Sequence, residues 1–283
     1  MFISPWIVGF LVFELYPILA SLFYSFMDYN AISPPVFVGL KNFANAFHDD
    51  VFWISIRVTL YYTIVSVPIG LVLSLVFALL LNQAIPGKGL FRTLMYLPSM
   101  VSGVSVSLLW VWIFNPQYGF VNYLLSLIHI VGPPWLTSEK WAVPSIIIMS
   151  FWTTGEGMVL FLAALQGVPK DLDEASILDG ANWIQRFWNV TVPMISPIIL
   201  FQLIINMINS FQVFTQAYVM TRGGPHYATT FYVFSIYQSA FVNFKMGYAS
   251  ALSWMLLIVV IALTVAILKM FNKVVYYEGG ENS

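Results

Sequence analysis

The chain has 283 residues, of which 60% are hydrophobic and only 8% are charged, and its mean hydropathy is +0.84. Soluble domains carry roughly 25% charged residues, so this composition excludes a water-soluble globular protein. The net charge of −1 gives no argument for a nucleic-acid partner, and the lack of cysteine excludes disulfides, thiolate metal sites and cysteine nucleophiles.

Six stretches are long and apolar enough to cross a membrane, which takes about 20 residues for a hydrocarbon core of roughly 30 Å. They are residues 4–27, 58–82, 92–114, 143–166, 197–220 and 248–270, each with approximate ends. Only Glu14 and Glu156 place a formal charge well inside a span, where a charge costs at least about 2.5–3.5 kcal/mol. We therefore predict an all-α integral membrane protein with six transmembrane helices in one domain, 1–283.

The first span is interpreted as a retained helix and not as a signal peptide. It is too long for a signal peptide, has no basic leading segment and lacks a small-residue cleavage pattern near its end. The chain starts almost directly in this helix, so a cytoplasmic leader ahead of it is left open. Glu14 is interpreted as a structural residue of this peripheral helix.

The distribution of positive charge does not fix the orientation of the spans. With both termini inside, six basic residues fall on the cytoplasmic side and five fall outside, which decides nothing under the positive-inside rule. The inside set is Lys88, Arg92, Lys170, Arg186, Lys269 and Lys273. The outside set is Lys41, Arg57, Lys140, Arg222 and Lys245.

Glu156, in the sequence TTGEGMVLF of the fourth span, is the sharper of the two charged anomalies. A carboxylate inside a membrane is by default a functional-site hypothesis, and the glycines on both sides allow another backbone or a ligand to approach closely. The alternative is a structural carboxyl that is held by a partner helix or a water-filled cavity. Contact with a ligand is the prediction that we take forward.

Residues 168–196, between the fourth and fifth spans, form a polar insert with helical character. A helix is predicted to start near Pro169, because proline is favoured at the first helical positions. The helix dipole favours negative charge in the first turn, and the acidic residues there are Asp171, Asp173 and Glu174. At Asp179-Gly180 the pattern breaks, since glycine can take the positive φ that ends a helix.

A second helical piece is predicted from about Ala181 to Val190, with an apolar stripe on one side. The residues of this stripe are Trp183, Ile184, Phe187 and Trp188. Pro193 and Pro197 are predicted to bound the start of the fifth span. A helix–turn–helix with exposed apolar surface indicates a docking partner, whereas the alternative is an amphipathic loop that rests on the membrane surface.

The fifth span carries five uncharged amide side chains along its length. They are Gln202, Asn206, Asn209, Gln212 and Gln216. At 100° per residue, all of them fit within roughly 120° of one helix face. Such a stripe either lines a polar path or ties helices together inside a bundle, and the path is the interpretation that we take forward.

The sequence EASILDGANWIQRFWNVTVPMISP, residues 174–197, resembles the EAA motif of ABC importer permeases, which reads E-A-A, then D-G-A, then a hydrophobic stretch and L-P. The matching residues are Glu174, Ala175, Asp179, Gly180, Ala181, Phe187, Pro193 and Pro197. Ser176 stands in place of the second alanine, and Val192 stands in place of the leucine. Further segments resemble the carbohydrate-uptake branch of these permeases in similar order, so the resemblance covers nearly the whole chain. These segments are FVGLKNF, NPQYGFVNYLL, GPPWL, TRGGP and GYASALS.

The resemblance implies a type I ABC importer permease fold in which the insert is cytoplasmic, with both chain termini on the same side. In this family the insert docks as a short coupling helix into a groove on a separate ATPase subunit. Residues 174–179 would form the docking helix, with Gly180 as its turn and with Ala175 and Ser176 small enough for close backbone approach. Trp183 and Phe187 would belong to the docking face or pack the insert onto its own bundle.

The resemblance also implies partners and a location. The chain would pair with a second homologous permease, either a different chain or a second copy, in a bacterial or archaeal plasma (inner) membrane. Two cytoplasmic ATPase subunits would hold ATP and Mg, and an extracytoplasmic binding protein would deliver a carbohydrate substrate. The sequence has no G-x-x-x-x-G-K-[ST] phosphate loop, zinc motif or nucleophile elbow, so we predict neither enzyme activity nor a cofactor or metal in this chain.

With such a substrate, the five amides and Glu156 become a candidate substrate path. Amide groups offer donors and acceptors to sugar hydroxyls without a charge to desolvate, and a carboxylate can accept two hydroxyls. Two alternatives stay open: a self-contained ion-coupled transporter with Glu156 as its proton or sodium site, and a non-transport scaffold or enzyme.

Overall fold

The computed structural model describes residues 3–83 and 86–271. Within these ranges, four continuous helices are long and apolar enough to span a membrane: Ser4–Ser25, Asp50–Asn82, Trp183–Phe211 and Met246–Phe271. Two more spans are bent pairs of helices, Lys88–Met100 with Gly103–Ile113 and Ala142–Thr153 with Gly155–Gln166. The prediction of an all-α membrane protein with six spans is confirmed. Lys273 lies outside the described residues.

The ends of several helices differ from the predicted spans. The second span begins at Asp50, because the Asp49 carboxylate accepts the N–H of Val51 at 2.9 Å and caps the helix well before the predicted start. The third span is interrupted at Ser102, whose backbone is extended, and its two halves are bent by 99°. The fourth span bends by 45°. The fifth-span helix, Trp183–Phe211, starts and ends earlier in the chain than predicted.

The connection between the first and second spans folds into a small compact unit. Two short strands, β1 (Met27–Asp28) and β2 (Val36–Phe37), pair antiparallel, and the helix Lys41–Phe47 follows them. The buried Asn42 side chain donates to the carbonyl of Met27 at 2.8 Å, so this helix is fixed to the strand pair. The pair was not predicted, since strands of two residues leave no periodic signal.

The other long connections also hold short elements. These are the helices Phe120–Leu127 and Tyr232–Tyr237 and the π turns Ala217–Thr221 and Gln238–Val242. Between the last two spans, the hydroxyl of Thr229 donates to the carbonyl of Gly224 at 2.7 Å and hydrogen-bonds the hydroxyl of Thr221 at 2.6 Å. The three histidines are exposed, as predicted: His48, His129 and His226.

The second span is the central helix of the bundle. Three hydrophobic clusters lie along it, and they contain Phe52, Tyr62 and Ala78 respectively. The fourth and fifth spans pack against it and against each other. Where the second and fifth spans cross, the hydroxyls of Thr63 and Ser210 are 2.8 Å apart. The two spans that carry the candidate residues are therefore neighbours in the bundle.

Candidate functional site

The predicted polar insert is a projecting helix that ends in a tight turn. The helix is Lys170–Leu178, and the chain then turns through Gly180, whose φ is +79°. The N–H of Gly180 donates to the carbonyl of Ile177 at 3.0 Å. The N–H of Ala181 donates to the carbonyl of Ser176, also at 3.0 Å. These two bonds form a Schellman motif, which requires a left-handed residue where Gly180 lies, so the predicted turn is confirmed.

The second helical piece is not separate from the fifth span. One helix runs over Trp183–Phe211, so the prediction that Pro193 and Pro197 bound the start of the span is wrong. Proline lacks the N–H that would bond the fourth residue before it. The helix adapts with a wider π turn over Phe187–Thr191, directly ahead of Pro193, instead of ending. The insert is thus covalently continuous with a transmembrane helix.

Two local contacts hold the insert in shape, and sequence reasoning missed both. The Asn182 carbonyl oxygen accepts the N–H of Gln185 at 3.0 Å, and the Gln185 side chain accepts the N–H of Asn182 at 2.8 Å. This capping box starts the fifth-span helix, and N-x-x-Q ahead of an apolar run is its signal. Arg186 Nη1 lies 3.2 Å from the Asp173 carboxylate and so joins the two helices. Exposed ion pairs add about 0–1 kcal/mol, so this one fixes geometry more than stability.

The outer surface of the insert is apolar and uncovered in the isolated chain. Leu178, at the tip, is 88% exposed. The other exposed large apolar side chains are Leu172, Ile177, Trp183, Ile184 and Trp188. Of the remaining candidate coupling residues, Glu174, Ala175 and Asp179 are exposed, and Ser176, Ala181 and Pro193 are half-buried. Such an apolar patch on a projecting element is typical of a surface that binds another protein.

Trp183 and Phe187 stack on each other, with ring centroids 5.9 Å apart. Both line a groove of about 500 Å³ between the insert and the ends of the second and fourth spans, with Leu79 and Leu165 also in its lining. Phe187 is half-buried, whereas Trp183 is exposed. Phe187 therefore packs towards its own bundle, and the Trp183 ring keeps surface for a further contact.

The glycines beside Glu156 are points of close contact between spans. A Cβ added at Gly155 would overlap the carbonyl of Met95 in the third span. A Cβ added at Gly157 would lie 2.8 Å from the Ser74 hydroxyl and 3.2 Å from Nε2 of Gln202. The close backbone approach that these glycines predict is confirmed, and it joins the second, third, fourth and fifth spans at this level.

Glu156 itself lies on the outside of this cluster. Its side chain is exposed, in the first turn of the helix Gly155–Gln166, where the helix dipole favours a carboxylate. In the part of the chain that the structure describes, no side chain pairs with it. A carboxylate at this place is open to a ligand or to another chain.

The five amides of the fifth span do not share one helix face, which corrects the prediction. The helix ends at Phe211, so Gln212 is its C-cap and Gln216 precedes the separate π turn Ala217–Thr221. The 100° rule assumed an unbroken helix, and it applies only as far as Asn209. The amides also differ in exposure, because Gln202 is only 4% exposed whereas Asn209 and Gln212 are exposed.

Gln202 and Asn206 bond each other inside the bundle. Nδ2 of Asn206 donates to the backbone carbonyl of Gln202 at 2.8 Å. Both residues thus help to pack the fifth span, while Asn209 and Gln212 present free amides at the surface of the chain. Asn206 and Gln216 are half-buried.

Sequence reasoning missed that three spans are interrupted near one another. The short 3₁₀ turns Leu97–Met100 and Phe151–Thr153 contact each other, and the helix after Ser102 contacts the π turn Ala217–Thr221. Non-helical backbone at membrane depth is tolerated only where it is buried in protein or lines a water-filled cavity. In transporters, broken helices of this kind form the substrate site. The strings LPSMVSG and TTGEG, which contain Pro98, Gly103 and Gly155, are the signals that could have located two of the three breaks.

Broken transmembrane helices that meet inside a bundle, together with a projecting docking element on one side, define a membrane transport protein that works with a partner on that side. Residues 59–275 match the family described as the binding-protein-dependent transport system inner membrane component, and the chain belongs to this family. It is a multi-pass permease of the inner membrane.

Curated relatives and solved structures agree with this assignment. The chain is 40% identical to the probable ABC transporter permease protein YesP of Bacillus subtilis, over 99% of this chain and 92% of the relative. It is 34% identical to the trehalose/maltose transport system permease protein MalF of Thermococcus litoralis, over 95% and 92%. A chain of a bacterial ABC transporter involved in the import of the acidic polysaccharide alginate superposes with a TM-score of 0.84 at 25% identity, over 96% and 94%. The resemblance to ABC importer permeases of the carbohydrate-uptake branch is confirmed, and these relatives are transport permeases rather than enzymes.

Proposed function

We propose that this chain forms half of the translocation path of an ATP-driven importer for a carbohydrate or a related polyol. The relatives whose names state a substrate support this class, since they transport trehalose and maltose or alginate. A second permease subunit completes the path, and an extracytoplasmic binding protein delivers the substrate. ATP and Mg are held by two ATPase subunits, because the sequence of this chain has no phosphate loop.

The observation that carries the proposal is the rigid connection between the projecting helix and the fifth span. The helix Lys170–Leu178 presents Glu174 and an apolar face, and it is fixed by the Schellman turn at Gly180 and by the ion pair of Asp173 with Arg186. The polypeptide then continues as one helix, Trp183–Phe211. A force applied to the projecting helix is therefore transmitted along one rigid element into the bundle.

The coupling mechanism follows from this connection. The projecting helix docks on the ATPase subunit, which places the insert and both chain termini in the cytoplasm. When ATP binding draws the two ATPase subunits together, the insert moves and the fifth-span helix moves with it. Because that helix ends at Phe211, next to the broken segments of the third and fourth spans, the displacement arrives where the path opens. ATP binding thus biases a two-state bundle through a ligand that is bound on another chain.

The substrate path uses the exposed polar groups of this chain. Asn209 and Gln212 offer amide donors and acceptors at the end of the fifth-span helix, and Glu156 offers a carboxylate at the bend of the fourth span. Gln202 and Asn206 hold the helices together behind them, and Gln216 lies on the far side of the break. All of the exposed groups would face the second permease across the path, where a sugar could bridge them.

Reconstituted vesicles test the proposal. The chain is combined with its co-encoded permease, ATPase and binding protein, and ATP hydrolysis and uptake are measured with a panel of mono-, di- and oligosaccharides and polyols. We expect uptake of a sugar that requires ATP and all four components, with ATPase activity raised by the loaded binding protein. Uptake by this chain alone, driven by a proton or sodium gradient, would instead establish the ion-coupled alternative with Glu156 as the ion site.

A further inference from the structure

The first span, Ser4–Ser25, is attached to the rest of the chain along only half of its length. Its second half, from Tyr16 onwards, packs on the sixth span, where Nε1 of Trp254 donates to the hydroxyl of Ser21 at 3.1 Å. No other part of the described chain packs extensively on its first half. Phe13 is 79% exposed there, and Trp6 is 69% exposed. The first half of this span must therefore be covered by lipid or by another protein.

Glu14 makes lipid a poor covering for this half. At 1.5 Å per residue, Glu14 lies about 15 Å along the helix from Ser4, which is near the middle of a hydrocarbon core roughly 30 Å thick. Its side chain is exposed, and within residues 3–83 and 86–271 it has no hydrogen-bond or ion-pair partner. Hydrocarbon chains have no donor to offer a carboxyl group, and intramembrane carboxylates normally face protein or a water-filled cavity.

The backbone adds a second, independent polar requirement at the same depth. Residues Leu11–Leu15 form a π turn, in which the N–H of Tyr16 bonds the carbonyl of Leu11, five residues earlier. Pro17 has no N–H, so the carbonyl of Phe13, four residues before it, lacks its usual helical donor. In hydrocarbon an unsatisfied backbone group costs several kcal/mol. Two acceptors, one on a side chain and one on the main chain, thus require donors on one short stretch.

We propose that the first half of this span packs, inside the bilayer, against the second permease subunit, which donates hydrogen bonds to the Glu14 carboxyl and to the exposed backbone of the π turn. The inference rests on the proposed function, because that function supplies the second permease. The surface suits a helix–helix contact: Trp6 and Phe10 stack with ring centroids 5.7 Å apart, and the space above Gly9 is open to a neighbouring backbone. The span then acts as a clasp, with one half held by its own chain and the other by the partner.

Association of the two permeases in the assembled complex tests the proposal. Glu14→Leu removes the acceptor, and we expect it to weaken association of the permeases by about tenfold or more, as for loss of a hydrogen bond to a charged group. Glu14→Gln keeps an acceptor and should retain most of the association. Phe13→Leu, which exchanges one apolar side chain for another at the next position, is the matched control and should have little effect. Leucine enters a membrane more readily than glutamate, so poor insertion cannot explain a loss in the first variant.

A photoreactive phenylalanine derivative at Phe13 identifies what covers this face. In the wild-type complex, illumination should join position 13 to the second permease, identified by mass spectrometry of the adduct. Adducts with lipid alone, or Glu14→Leu complexes as stable as the wild type, would overturn the proposal. ATP-driven sugar uptake by the same preparation keeps the two questions separate, because the importer function stands whenever uptake is observed, whatever covers Glu14.

Discussion

The turn at Gly180 gives the sharpest prediction about the coupling insert. A Cβ added at Gly180 meets no atom within 4 Å, so replacement by valine creates no clash. Its cost is conformational, because φ is +79° there and the left-handed region disfavours L-residues by roughly 1–2 kcal/mol, with β-branched residues at the upper end. At about 2 kcal/mol, the fraction of inserts with the docking shape falls roughly 30-fold. The six spans lose no contact.

Transport by the reconstituted complex, measured together with the amount of permease in the membrane, checks this reasoning. Gly180→Val should nearly abolish uptake while the permease remains inserted at wild-type levels. Gly180→Asn is the matched control, because asparagine tolerates the left-handed region and should retain most of the uptake. The reasoning is refuted if Gly180→Val transports normally, or if Gly180→Asn is impaired as severely as the valine variant.

Two further predictions concern the bundle. Gly155→Ala should destabilise the permease by about 1–3 kcal/mol, because the new Cβ overlaps the carbonyl of Met95 and backbone cannot easily give way; Gly70→Ala, in open space in the second span, should not. Thermal unfolding of the two purified complexes distinguishes them, and equal melting temperatures would contradict the packing argument. Asn209→Leu should lower sugar uptake by about tenfold through loss of roughly one hydrogen bond to substrate, whereas Asn209→Gln should partly preserve it and neither should change ATPase binding. Unchanged uptake in Asn209→Leu would make this amide a packing residue.

The number of spans was predictable because it depends on composition over about 20 residues, and composition does not need tertiary contacts. The ends of the helices were less predictable. Asp49 is an ordinary capping residue, but the apolar pattern that defined the second span begins only after Arg57, so the helix starts earlier than its hydrophobic part. The β1–β2 pair, with two residues in each strand, lies below what any periodic pattern can indicate.

The coupling insert was largely predictable, since its shape depends on local chemistry. Gly180 has the positive φ that glycine tolerates, and acidic residues fill the first turn of the preceding helix. The exception is the proline pair. Pro193 and Pro197 are ordinary signals for a helix boundary, but a π turn lets one helix continue through them, and such a turn has no sequence signature of its own.

The break in the fifth span shows where sequence reasoning has to fail. The string NSFQVFTQ around Gln212 contains neither glycine nor proline, so no local signal ends the helix at Phe211. The buried side chains of Val213 and Ala217 belong instead to the cluster that contains Tyr62 and Phe231. Packing of these side chains decides the backbone path, and packing is not visible in a single sequence. Extrapolating one helix face to Gln216 was wrong for this reason.

The central claim is that the projecting helix Lys170–Leu178 docks on an ATPase subunit in the cytoplasm. The chain has no cysteine, so Leu178→Cys carries the only thiol of the permease, at its most exposed apolar position in the insert. A bifunctional reagent on that thiol, applied to the assembled complex in membrane vesicles, should join this chain to the ATPase subunit and stop sugar uptake. Adducts only with lipid or with the binding protein on the outer face, and uptake that continues at the wild-type rate, would contradict the account.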